Sequence, residues 1–160
     1  MLLRKFTLDD AERLAFLLDD EEVSRWTSKI PFPYSVRDAC NWINSMAERP
    51  ERHPFAVELD GDIVAGISFW PSGDNETEVG YWVGRDYWGR GIGSRALALL
   101  MLRPEFPSQT KVVAKVVSGN TGSEKVLHKN GFEFAGACTL TRMGEPVDGR
   151  LFVRREKGEP

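Results

Sequence analysis

The residues best placed to do chemistry sit in one short stretch, "DYWGRGIGSRALALL" (86–100), where three glycines and two arginines separate an aromatic run from an apolar one. Gly89, Gly91 and Gly93 remove side chains where a ligand would approach the backbone. A helix starting there leaves amide N–H groups unpaired at the positive end of its dipole. Arg90 and Arg95 add charge that the turn does not need for its own geometry. Such a nest takes an anion, and pyrophosphate is the natural guest. It matches neither commoner nucleotide motif: no Gly-Lys-Ser/Thr closes it, and it does not follow the first strand as the dinucleotide fingerprint does. The plain alternative is a tight strand-to-helix turn with solvated arginines.

The elements that would hold this turn follow from periodicity. Leu2–Phe6 reads as a strand, and Thr7 caps a helix with Asp9, Asp10 and Glu12 in its first turn. "TSKIPFPYS" (27–35) breaks regular structure, and Ser35 with Asp38 opens a second helix. Two β-rich runs flank Asp60-Gly61, a hairpin signal. Thr77–Val83 is a strand with Val79, Tyr81 and Val83 on one face. The helix from Ile92 to Leu102 is apolar almost all round, which predicts burial. A strand spans 111–117, and a short helix over 120–130 ends at Gly131 in the left-handed conformation. "EFAGACTLT" and "RLFVRRE" (150–156) close the chain as strands. The strand–helix–strand run over 77–117 demands a right-handed crossover between parallel strands, while the outer hairpins are antiparallel. The expectation is one α/β domain over residues 1–160, with a mixed sheet of six to seven strands and about four helices.

The chain has 160 residues, 41% hydrophobic and 28% charged, the composition of a soluble globular domain. No apolar run reaches the roughly 20 residues needed to span a bilayer, and none near Met1 is long enough for a secretory signal. Cys40 and Cys138 stand apart from each other and from any metal-ligand pattern, so buried free thiols, no metal and a cytoplasmic setting are expected. A net charge of −3 argues against a nucleic-acid surface and favours a cationic or amine substrate over an anionic one.

The segment "EVGYWVGRDYWGRGIGSRA" (78–96), followed by "NTGSEKVLHKNGF" (120–132), resembles the Gcn5-related N-acetyltransferase (GNAT) superfamily. Its pyrophosphate motif, Gln/Arg-x-x-Gly-x-Gly/Ala, falls on Trp88–Gly93, with Trp88 departing from the usual first residue. That tryptophan, "IPFPYS" before the second helix and Asn-x-x-Ser in "NTGS" resemble the branch acting on ribosomal-protein N-termini (the RimJ/RimL type). The resemblance implies an acetyl-CoA-dependent enzyme acting on an amine, most simply a protein N-terminus, as a monomer or homodimer. A small-amine acetyltransferase (aminoglycoside or polyamine) and a non-catalytic acyl-CoA sensor are the alternatives.

Carried onto this chain, the resemblance implies that Trp82 and Val83 run beside the pantetheine arm. The amides of Arg90, Gly91, Ile92, Gly93 and Ser94 would wrap the pyrophosphate, with Arg95 close by. Asn120 and Ser123 would face the thiol end, and Lys129 would reach the adenosine phosphates. A simple helix cap for Asn120 and a solvated charge for Lys129 are the plain alternatives. An amide exposed by a distortion near Trp82-Val83 would polarise the thioester carbonyl. Glu78 is the expected general base, directly or through water, with Glu76 the fallback. The tyrosine that many superfamily members use as an acid is replaced by Leu127, which leaves Ser123 to hydrogen-bond the departing sulfur. His53 and His128 receive no role. Trp26, Phe32, Tyr34, Trp70 and Trp82 could rim the acceptor site, with Phe32, Tyr34 and Trp70 the residues expected to bind substrate.

Overall fold

The computed structural model describes residues 1–108 and 110–154. Arg155 and Glu156, the end of the last predicted strand, lie outside the described residues. Among the described residues seven strands form one mixed sheet: β1 Leu2–Arg4, β2 His53–Leu59, β3 Asp62–Gly73, β4 Glu76–Val83, β5 Lys111–Val117, β6 Phe132–Arg142 and β7 Glu145–Arg154, in the order β1-β2-β3-β4-β5-β7-β6. β4 and β5 are the parallel pair, and the other neighbours are antiparallel. Asp60 and Gly61 both take positive φ (52° and 86°), which lets β2 turn directly into β3.

Among the described residues five α-helices accompany the sheet, where about four were expected: α1 Ala11–Leu18, α2 Glu21–Ser24, α3 Val36–Ser45, α4 Ile92–Met101 and α5 Thr121–Lys129. The helix predicted from Thr7 begins as a 3-10 turn over Leu8–Asp10. The extra α2 is a single turn, capped by the Asp20 carboxylate accepting from the Glu22 amide at 3.0 Å. It is too short to leave a periodic signal. Ser35 and Asp38 form the expected capping box on α3.

Two apolar layers hold the sheet. On one face α4 and α5 cover Ile67, Phe69, Val79 and Phe152 with Leu97, Leu100 and Leu127. On the other, α1 to α3 enclose Leu14, Leu18, Val23, Tyr34 and Ala39. Each fully buried leucine or phenylalanine contributes ~1.5–3 kcal/mol. The expectation of an α4 buried all round is corrected, because only its Ile92–Gly93–Ala96–Leu97–Leu100 face is covered, leaving Leu99 exposed and Leu102 beyond it 80% exposed. Cys40 and Cys138 are free thiols but half-buried rather than buried.

Candidate active site

The site begins where the sheet splits. β4 pairs with β5 over Glu76–Val79 and Lys111–Ala114, and beyond Val79 the two strands part. β5 stays with β7 as far as Val117, while β4 stays with β3 as far as Val83. The expected distortion at Trp82-Val83 is therefore corrected: the β3–β4 register is unbroken there, and divergence from β5 is what frees the edge. The Gly84 amide donates to the Val64 carbonyl at 2.9 Å. By strand alternation, the Trp82 amide also faces β3, and the Tyr81 and Val83 amides face the gap. The Val83 carbonyl accepts from the Trp88 indole at 2.8 Å, so the unexpected tryptophan pins the glycine turn to the strand.

At the turn, Gly89 and Gly91 have φ of 75° and 72°, and a Cβ on either would point into open space. Gly91 is the N-cap of α4, without a side-chain cap. The Arg95 amide is the first to bond back, to the Gly91 carbonyl at 3.1 Å. The amides of Ile92, Gly93 and Ser94 precede it and have no helical acceptor. Gly93 does different work: its Cβ would stand 3.2 Å from Val126, so it lets α4 and α5 approach. A cleft of about 540 Å³ runs from this turn along the gap, lined by Val83, Gly91, Ser94, Asn120, Ser123 and Lys129 among others. The Arg90 and Arg95 side chains are exposed and outside that lining, with Arg90 over the Tyr87 ring at 5.4 Å. The turn's geometry comes from the glycines.

At the inner end of the cleft, Asn120 caps α5, its Oδ1 accepting from the Ser123 amide at 3.2 Å. The Ser123 hydroxyl lies 2.7 Å from the Tyr81 hydroxyl, which also donates to the Ser123 carbonyl at 3.1 Å. Burial pushes the Tyr81 phenol up to about 12, so it keeps its proton. Sequence reasoning placed Tyr81 on one face of its strand with Val79 and Val83 and gave its hydroxyl no role. The signal was there: a tyrosine among valines needs a partner for its O–H. Leu127, at the usual acid position, is fully buried.

A second opening, a groove of about 600 Å³, lies on the other face of β3 and β4 and shares Trp26, Gly80, Tyr81, Trp82 and Lys115 with the cleft. Two glycines make its floor. Trp82 lies over Gly66, where a Cβ would come within 2.5 Å of the indole nitrogen, and Trp70 lies over Gly80, where a Cβ would come within 2.8 Å of its ring. Glu78 stands in this groove opposite Trp70, its Oε1 3.4 Å from Lys115 Nζ and without a well-formed hydrogen bond. Glu76 is outside the groove, held by Ser72 at 2.8 Å and Lys111 at 3.5 Å. Two expectations are corrected. Phe32 is half-buried and does not line the groove; Tyr34 is 7% exposed, packed among Leu14, Leu18 and Val23, so it forms the groove's underside and not its rim.

Residues 1–133 match the Acetyltransferase (GNAT) domain family. The chain belongs to the GNAT family. It is 31% identical over 159 residues to the uncharacterized N-acetyltransferase p20 of Bacillus licheniformis, covering 94% of this chain and 87% of that one. Among solved structures it is similar to Mycobacterium smegmatis RimJ in complex with CoA-disulfide (TM-score 0.80, 25% identity, 94% of this chain and 79% of that one). It also shares its fold with the microcin C7 self-immunity acetyltransferase MccE in complex with acetyl-CoA and AMP (TM-score 0.82, 20% identity, 95% and 90%). The protein is thus an N-acetyltransferase of the GNAT family. Among the described residues there is no helix long and apolar enough to cross a membrane, and no group of three or more His, Cys, Asp and Glu able to hold a metal ion.

Proposed function

We propose that this enzyme acetylates the α-amine of a protein or peptide N-terminus. The observation that carries the reading is the meeting of an open groove and a phosphate-type cleft across Gly80, Tyr81 and Trp82. An extended acceptor can enter the groove from one face while its amine reaches the cleft's inner end. The groove is bounded by Trp26–Pro31 on one side and Thr139–Thr141 on the other, and it is neither closed nor acidic.

The residues present fit acetyl-CoA. The open space above Gly91 and the three unpaired amides after it suit a pyrophosphate, and Lys129 lies along the same cleft. When bound, acetyl-CoA supplies an activated acetyl group with a thiolate as leaving group. The chain's own contribution is fourfold. The Tyr81 and Val83 amides, turned into the gap, serve as oxyanion donors. Glu78 accepts the amine's proton through water, with Lys115 balancing its charge. Ser123, held by the still-protonated Tyr81, donates a hydrogen bond to the sulfur, which departs as the thiolate as the C–S bond breaks and the C–N bond forms. Trp70 and Trp82 fix the acceptor's approach.

The test is thiol release from acetyl-CoA against a panel of N-terminal peptides and free small amines. Peptides are expected to be used with the higher kcat/KM. Preference for an aminoglycoside or a polyamine would replace this reading, and tight acetyl-CoA binding with no release for any amine would favour a sensor.

A further inference from the structure

Trp70 carries two cations at once. The Arg52 guanidinium carbon lies 4.5 Å from its ring centroid, and Lys29 Nζ lies 5.9 Å away. Both residues line the acceptor groove, with Lys115 as a third cation. The two carboxylates of that lining are already engaged: Asp38 accepts from the Ser35 amide and hydroxyl at 2.8 and 2.9 Å, and Glu78 faces Lys115. Among the described residues, neither Lys29 nor Arg52 is paired with a carboxylate. Trp70 is the direct cross-strand partner of Glu78, so these cations stand beside the proposed base. Whole-chain charge pointed the other way, since a net −3 protein suggested a cationic acceptor.

We propose that the acceptor carries an anionic group, a carboxylate or a phosphate, within about three residues' reach of its reactive amine, and that Arg52 and Lys29 over Trp70 hold it. The proposal rests on reading the groove as the amine site. An arginine flat on an indole keeps its edge N–H groups free, and that planar fork matches carboxylate and phosphate oxygens in pairs. Burial lowers the Lys29 pKa first and repulsion from Arg52 next, with Arg49 and Lys115 adding to it and Glu78 opposing. An anion between Lys29 and Arg52 would relieve that repulsion. If the cations merely cover the indole, acceptor charge should not matter.

The test compares peptides that share an N-terminal residue and differ at the second and third positions (Asp, Asn or Lys), alongside phosphoethanolamine and ethanolamine. Turnover is measured with acetyl-CoA, and binding by calorimetry without it. Acidic acceptors are expected to lead their neutral counterparts by about ten-fold or more in kcat/KM and to bind tighter. In Lys29→Gln/Arg52→Gln the lead should shrink to about two-fold at unchanged acetyl-CoA affinity, and Arg52→Lys should restore part of it. Equal use of Asp, Asn and Lys peptides, or a lead that survives the double substitution, would overturn the proposal. Should no peptide react while phosphoethanolamine outruns ethanolamine, the N-terminal reading falls and the anion site stands. Should nothing turn over, calorimetry still decides, because tighter binding of the acidic acceptor is required.

Discussion

The 2.7 Å contact between the Tyr81 and Ser123 hydroxyls divides the stabilisation of the departing sulfur between two side chains. Ser123→Ala removes about one neutral hydrogen bond, so kcat should drop only several-fold, about 1 kcal/mol. Tyr81→Phe leaves Ser123 without its hydroxyl partner and should cost more, at unchanged acetyl-CoA affinity; single-turnover kinetics of the two variants would rank them, and the reverse order would make Ser123 alone responsible for the hydrogen bond to the sulfur. Glu78→Gln should lower kcat at least ten-fold, given ~10²–10⁴ for a general base, while calorimetry shows acetyl-CoA binding intact. At this scale the sequence was partly legible. Glu78 and Ser123 were singled out through the family resemblance; Glu78 lines the groove and Ser123 the cleft. Phe32 was misjudged because aromatic type says nothing about orientation, and Lys29 and Arg52 were missed because 23 positions separate them in the chain and only Trp70 unites them.

Among the elements, β4 and the start of α4 do the positioning, and their glycines act in two different ways. Gly91 holds open a space that nothing in the protein fills, at a φ that penalises any other residue. Gly91→Asp should abolish acetyl-CoA binding while far-UV circular dichroism stays that of the folded chain. Gly80 instead gives room to a neighbour, Trp70. Gly80→Ala should tilt that ring, raising KM for the amine several-fold and leaving acetyl-CoA affinity alone; equal losses on both substrates would mean the two openings are not separable. Most elements could be read from periodicity and caps: the hairpin at Asp60-Gly61, the Ser35 cap and the left-handed Gly131 (φ 83°) all stand where residue type demanded. The parting of β4 from β5 could not be read, because neither strand carries a residue that announces where its neighbour leaves it.

For the molecule as a whole, the buried Tyr34 and the half-buried Tyr81 couple stability to alkaline pH. Tyr34 and Tyr81 are each pushed up to about 12 by burial, above the ordinary value near 10. Groups raised in this way stabilise the fold fully below pH about 10 and lose that contribution as pH climbs towards 12, because the unfolded chain ionises first. Thermal melting of the wild type should therefore fall more steeply across that window than melting of Tyr34→Phe or Tyr81→Phe; parallel curves would show that neither phenol is buried in solution. The split sheet has a further consequence. Since, among the described residues, four pairs form the ladder that joins β1–β4 to β5–β7, the two half-sheets resemble the arms of a pair of tweezers closed at one end. A molecule lying in the gap stitches those arms together. Amide hydrogens of the ladder, Thr77–Val79 and Val112–Ala114, should then exchange with deuterium more slowly once acetyl-CoA is bound, far beyond the residues that touch it.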